Sequence, residues 1–148
     1  MPIYLQRAAS AESLRVYRRG EPVPGQRVVH PDQIAVEWAG RVGQPSSYGL
    51  LGGIAAASTV EPMPMPIGTF AQALVKSDIV TFGLPDEFAA AARRDPVVVT
   101  IAAAGEAGSS VWVFRSLASM LAALLAREGS VERDALWALW DNSRIPLN

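Results

Sequence analysis

This chain of 148 residues contains no cysteine, which removes disulfides, thiolate nucleophiles and Cys-ligated zinc or iron–sulfur sites from consideration. That absence fits a cytoplasmic setting, the location expected here. Histidine is nearly absent too. His30 stands alone between Val29 and Pro31 in a loop, with no second histidine to share a metal or relay a proton, and reads as a surface residue without a catalytic role. Lysine occurs once, as Lys76, and nothing matches the Gly-x-x-x-x-Gly-Lys-Ser/Thr phosphate loop, so binding of nucleoside triphosphates is not expected. Long apolar runs are missing as well. The longest, Leu117–Ala126 with one serine, is too short to cross a bilayer, and the start lacks the pattern of a secretory signal. No membrane, metal or cofactor is expected.

Charge is sparse, 18% of residues with a net of −1, which disfavours a surface built to grip phosphates throughout. Half of the residues are hydrophobic, enough for one domain with its own core and incompatible with a disordered chain. What charge there is clusters. Residues 1–48 hold six arginines against four acids, whereas residues 49–148 hold seven bases against ten acids.

Glycine and serine concentrate in two loops, at 43–49 and 105–110. The first follows Ile34–Val42, where Ile34, Val36, Trp38 and Val42 alternate with Glu37 and Arg41; the alternation predicts a half-buried strand with Glu37 facing out. After it, Leu50–Val60 reads as extended, and its Gly52-Gly53 step predicts a bulge or a close helix contact. Pro62, Pro64 and Pro66 mark a connector, and Thr69 is expected to cap a short helix with Phe70, Ala73 and Leu74 on one face and Lys76 within it. Ile79–Leu84 reads as a strand. Pro85-Asp86-Glu87 opens a helix that Arg93-Arg94 close, in the order a helix dipole favours.

The β-branched run Val97–Ala103 leads into the second loop. From Val113 the apolar positions 113, 117, 120, 121, 124 and 125 predict a core-facing helix, with Ser109 or Ser110 as N-cap and Gly129 as the stop. A last helix over about 131–141 carries Trp137 and Trp140. Residues 8–19 suit either a strand or a helix. The expected organisation is an N-terminal arm at 1–33, an α+β body at 34–128, and a Trp-bearing helix and tail at 129–148.

Over some 85 residues these elements resemble domain IV of elongation factor G. The residues that carry the likeness are the loop Arg41–Gly49 with its Tyr48-Gly49 step, the strand ending Glu61-Pro62, the helix start Gly83-Leu84-Pro85-Asp86-Glu87-Phe88, and Ser109-Ser110 with Phe114 four residues on. The resemblance implies an α+β fold, a two-layer sandwich of a mixed sheet with helices packed on one face. It also implies a tip formed by the two loops, here without the family's GTPase domain. The family's tip histidine and acid are replaced by Glu106-Ala107-Gly108.

The reading that follows is a non-catalytic interaction module. Its candidate tip residues are Arg41, Gly43, Gln44, Ser46, Ser47, Tyr48, Glu106, Gly108 and Ser109, and its target is RNA, the ribosome or a protein. A nucleophilic role for the tip serines would need a base beside them, and only Glu106 and Lys76 are local, so turns and caps account for them better. Arg15, Arg18 and Arg19 are candidates for a partner surface, weighed against a solvated edge strand. Trp137 and Trp140 are candidates for a partner or homodimer surface, weighed equally against packing on their own domain. An accessory or assembly protein using that helix is the alternative function, and a small enzyme of unknown reaction the second.

Overall fold

The computed structural model describes residues 1–40, 47–55, 64–127, 129 and 132–144. Six strands form one sheet: β1 (Ile3–Arg7), β2 (Glu12–Tyr17), β3 (Ile34–Gly40), β4 (Ser47–Ala55), β5 (Val80–Phe82) and β6 (Val97–Gly105). Three helices accompany them: α1 (Asp86–Ala91), α2 (Val111–Ala126) and α3 (Arg133–Ser143). The spatial order is β1-β2-β3-β4-β6-β5. Every neighbouring pair is antiparallel, so the sandwich is α+β as expected but its sheet is not mixed. Within residues 8–19, which suit either a strand or a helix in sequence, Glu12–Tyr17 is a strand; with Ile3–Arg7 it supplies the first hairpin of this sheet, Leu14 and Val16 alternating inward and Ile3 set opposite Val16.

All three helices lie over one face. Leu14, Val16, Val36, Trp38 and Leu51 of the sheet meet Phe114, Leu117, Met120, Leu121 and Leu124 of α2 and Leu136 and Trp140 of α3. The six α2 positions read from the 3.6-residue period are all buried. Gly49 lets α2 close on the sheet: a Cβ there would stand 2.6 Å from Val113 and 2.7 Å from Leu117, inside van der Waals contact. The bulge expected near Gly52-Gly53 is present as a register shift between those two residues against β6. α2 stops at Ala126 with Arg127 already extended, so Gly129, at φ 82°, lies beyond the helix end and is not its cap.

The second face departs from expectation. No helix follows Thr69; residues 64–79 run in turns, Thr69 bridges Thr81, and Lys76 sits exposed in this segment. The residues assigned to a helical stripe, Phe70 and Ala73, are buried, together with Val75, against Tyr17, Ala35, Tyr48, Leu50 and Ile101. β3 is therefore covered on both sides and is not half-buried. The remaining adjustments are at ends. α1 stops at Ala91, so Arg93 and Arg94 lie beyond it, and Ser110 occupies the α2 cap position without a side-chain cap bond.

Candidate functional site

One end of the sheet is where β3 finishes, β4 begins and β6 turns into α2. Gly40 pairs with Ser47, and Leu50 with Ala103 two residues short of Gly105. The loop Gly105–Ser110 folds against the start of β4 through a short set of bonds. The Ser109 hydroxyl accepts from the Gly105 N–H (2.8 Å) and donates to the Tyr48 carbonyl (2.7 Å), while the Tyr48 N–H reaches the Gly108 carbonyl (3.2 Å). Asp78, just before β5, braces the same loop from the other side. Its carboxylate accepts from Ala107 (3.0 Å), Gly108 (2.8 Å) and its neighbour Ile79 (2.8 Å). A carboxylate taking several backbone N–H bonds pins a turn whose amides would otherwise depend on water. Asp78 carries no local sequence signal, because its partners lie about 30 residues downstream.

The candidate tip residues thus separate into three groups. Glu106 and Ala107 are exposed and Gly108 and Ser109 half-buried, with Gly108 and Ser109 tied into the brace. Ser47 and Tyr48 belong to β4, not to a loop. Tyr48 is removed from any binding surface altogether: its ring is fully buried and its hydroxyl donates to Glu37 at 2.7 Å. Arg41, Gly43, Gln44 and Ser46 fall outside the described residues.

Glu37 was expected to face solvent and is wholly buried. It sits on the second face beneath residues 72–74. Oε1 accepts from Arg15 at 2.7 Å, and Oε2 from the Tyr48 hydroxyl and from the Leu74 N–H at 2.9 Å. The Arg15 guanidinium, 16% exposed, also donates to the Gln72 carbonyl. Arg15 is thereby an inward latch for the 64–79 segment, not a free partner-surface residue. Burial raises the Glu37 carboxyl above its usual range despite the Arg15 charge and these donors. It likewise raises the phenols of Tyr48 and Tyr17, with the Glu37 charge adding to both. The alternation of β3 could not reveal this, because the covering segment carries no periodicity.

The C-terminal helix turns its aromatic face inward. Trp140 is fully buried and stacks on Trp38 with centroids 5.0 Å apart, and Trp112 meets Trp38 edge-on at 5.3 Å. Trp140 is therefore core, which withdraws it from the partner-surface candidates. Trp137 is half-buried under Arg7, whose guanidinium lies 4.1 Å from the ring centroid. Arg7 also joins Glu12 (2.7 Å) and Asp141 (2.9 Å), and Arg144 reaches Glu12 at 3.4 Å, fastening α3 to the β1–β2 turn.

Arg18 and Arg19 follow β2 at the opposite end of the sheet from the braced loop. Arg18 pairs with Glu21 at 3.1 Å, and Arg19 donates to the carbonyls of Leu125 (3.2 Å) and Arg127 (2.9 Å) at the end of α2. Among the described residues no group of three or more His, Asp or Glu could hold a metal, and no helix is long and apolar enough to cross a membrane. His30 uses Nδ1 to accept from the Asp32 N–H. In comparison with known proteins, the chain matches no family model, no curated protein and no solved structure.

Proposed function

We propose that the protein is a non-catalytic interaction module whose working surface is the braced end of the sheet, where the 105–110 loop meets the start of β4. The observation that carries this reading is the Asp78–Ser109 brace. It fixes a glycine-containing loop in one conformation and leaves Glu106 and Ala107 outward, so the surface is organised before any partner arrives. The hydroxyl of Ser109 is engaged at both its donor and an acceptor site by backbone, which leaves it no base and argues against nucleophilic chemistry there.

The order β3, β4, β5, α1, β6, α2 is the order from which the elongation factor G likeness is argued, and the proposed tip occupies the same place in that order. A protein target is favoured over RNA. Among the described residues beside the loop, Lys76, Asp78 and Glu106 give no cationic excess for a phosphate backbone. The inward-facing tryptophans of α3 weaken the alternative of an assembly protein working through that helix.

The test is site-specific photo-crosslinking in cells, with a benzophenone side chain placed at Glu106 and, as control, at the exposed Val98 on the opposite end of β6. Ribonuclease-resistant adducts to one protein at position 106, absent at 98, are expected. Adducts that dissolve with ribonuclease would replace the protein target with RNA, and equal labelling at both positions would remove the tip as the working surface.

A further inference from the structure

Away from the tip, a cavity of about 510 Å³ opens between the sheet and the corner of α2 and α3. It exists for a simple packing reason. α2 crosses β3 and β4 and ends at Ala126, and α3 starts at Arg133 and runs back toward the β1–β2 turn, where Asp141 and Arg144 are fastened. The corner between the end of α2 and the start of α3 stands over the ends of β1, β2 and β3, and among the described residues the cavity is lined from all five elements.

The floor and walls are Ile3, Val16, Ile34, Leu124 and Leu136, all aliphatic and drawn from three strands and two helices. The rim is cationic among the described residues: Arg18, Arg19 and Arg133 against the acid Glu132. The arginines are incompletely compensated. Among the described residues Arg19 and Arg133 bond to backbone carbonyls, the latter to Tyr4 at 2.9 Å, and neither pairs with a carboxylate. Arg18 shares Glu21 with the N-terminal ammonium, which stands 3.0 Å from the same carboxylate.

We infer that this cavity is a binding site for a small amphiphilic anion, a medium-chain alkyl carboxylate, with the chain on the aliphatic floor and the headgroup at the arginine rim. The volume falls within the range of small-ligand sites, roughly 300–1,000 Å³. Alkyl character follows from the aliphatic floor, and among the described lining residues there is no aromatic ring for a nucleobase or other flat ligand to stack upon. Negative charge follows from the excess of guanidiniums over acids among the described lining residues, Arg19 and Arg133 bonding only to backbone carbonyls there; their planar donors match a carboxylate. The inference is independent of the tip, since no residue is shared.

Calorimetry and amide chemical-shift mapping with sodium decanoate below its micelle threshold provide the test, with decyltrimethylammonium as the equal-chain cation. Expected are saturable one-to-one binding of decanoate, shifts confined to residues around Val16, Ile34 and Leu136, and at least ten-fold weaker binding of the cation. The double variant Arg18→Gln, Arg133→Gln should weaken decanoate at least ten-fold, and Ile3→Trp, which fills the floor, should abolish it. Absence of saturable decanoate binding, equal binding of the cation, or shifts centred on residues 105–110 would each overturn the assignment. The ligand comparison uses the wild-type protein alone, so it stands even where a variant fails to fold.

Discussion

The two ends of this sheet are built on opposite terms. At one end short connections bring β4, β6 and the start of α2 together, and the surface is made of backbone held by Asp78 and Ser109. At the other end, beneath the α2–α3 corner, the described surface is made of side chains, aliphatic below and cationic at the rim. The first presents shape with little net charge; the second presents a cavity with an unbalanced one. The two proposals give one fold two kinds of recognition: strand-end turns are saturated by hydrogen bonds locally, whereas the cavity at the α2–α3 corner leaves apolar area for a ligand or water to meet.

Both ends hang from the same core, and the largest expected effect comes from breaking it. Trp140→Ala removes the ring stacked on Trp38 and should cost about 3–5 kcal/mol, the usual range for a buried large aromatic. Denaturant melts should show the loss, and hydrogen exchange should rise at both ends together. If only the α3 end loosens, the ends are not mechanically joined through this stack.

Glu37→Ala acts on the opposite face and should cost about 3 kcal/mol, because it strands the mostly buried Arg15 guanidinium along with the Tyr48 hydroxyl and the Leu74 N–H. The same residue gives a pH signature. Its carboxyl is raised in the folded state by burial, so the folded protein holds that proton more tightly than the unfolded chain does. The resulting stability is full below the ordinary carboxylate value and declines as pH rises through the raised one. Glu21 works in the reverse sense. Burial opposes its ionisation, but the N-terminal ammonium and Arg18 outweigh it and hold the carboxyl low, so its contribution is present at neutral pH and fades on acidification. The melting-temperature advantage of wild type over Glu37→Gln should therefore shrink as pH rises from the ordinary carboxylate range through the raised value of Glu37. A widening gap would mean that the Arg15 charge dominates burial.

Asp78→Ala separates the ends. It deprives three backbone amides of their acceptor and should cost about 2 kcal/mol, less than the core variants because the site is half-exposed and water can substitute. Exchange at Ala107 and Gly108 should accelerate while amides of β2 near Val16 keep their protection. Ser109→Ala should act in the same place at about 1 kcal/mol.

How much of this was legible depends on periodicity. α2 could be read residue by residue because positions 113, 117, 120, 121, 124 and 125 all face one core. The strands β3 and β6 showed in their β-branched and alternating patterns. The 64–79 segment defeated the same method. Phe70 and Ala73 share a helical spacing, yet they bury in turns, and what fixes the segment is Leu74 and Gln72 bonding to Glu37 and Arg15, residues 37 and 57 positions away. Glu37 itself looked like a solvent-facing charge because nothing in β3 announces a cover. Tyr48, assigned to the tip by its place beside Gly49, turned inward for the same reason. At the site, the serine and glycine loops could be found, but the brace could not, since an isolated Asp before a strand carries no pattern. The cavity was equally hidden, for its lining is drawn from β1, β2, β3, α2 and α3 and not from any local run.

The central claim, that the braced end is the working surface, is tested most directly by measuring the affinity of the protein crosslinked at position 106 for wild type, Glu106→Arg and Arg133→Gln, with melting temperatures alongside. Glu106 is exposed, so Glu106→Arg should change stability by no more than about 0.5 kcal/mol. It should weaken the partner ten-fold or more, about 1.4 kcal/mol, while Arg133→Gln, at the far end, leaves affinity unchanged. An affinity untouched by Glu106→Arg, or reduced equally by Arg133→Gln, would contradict the account.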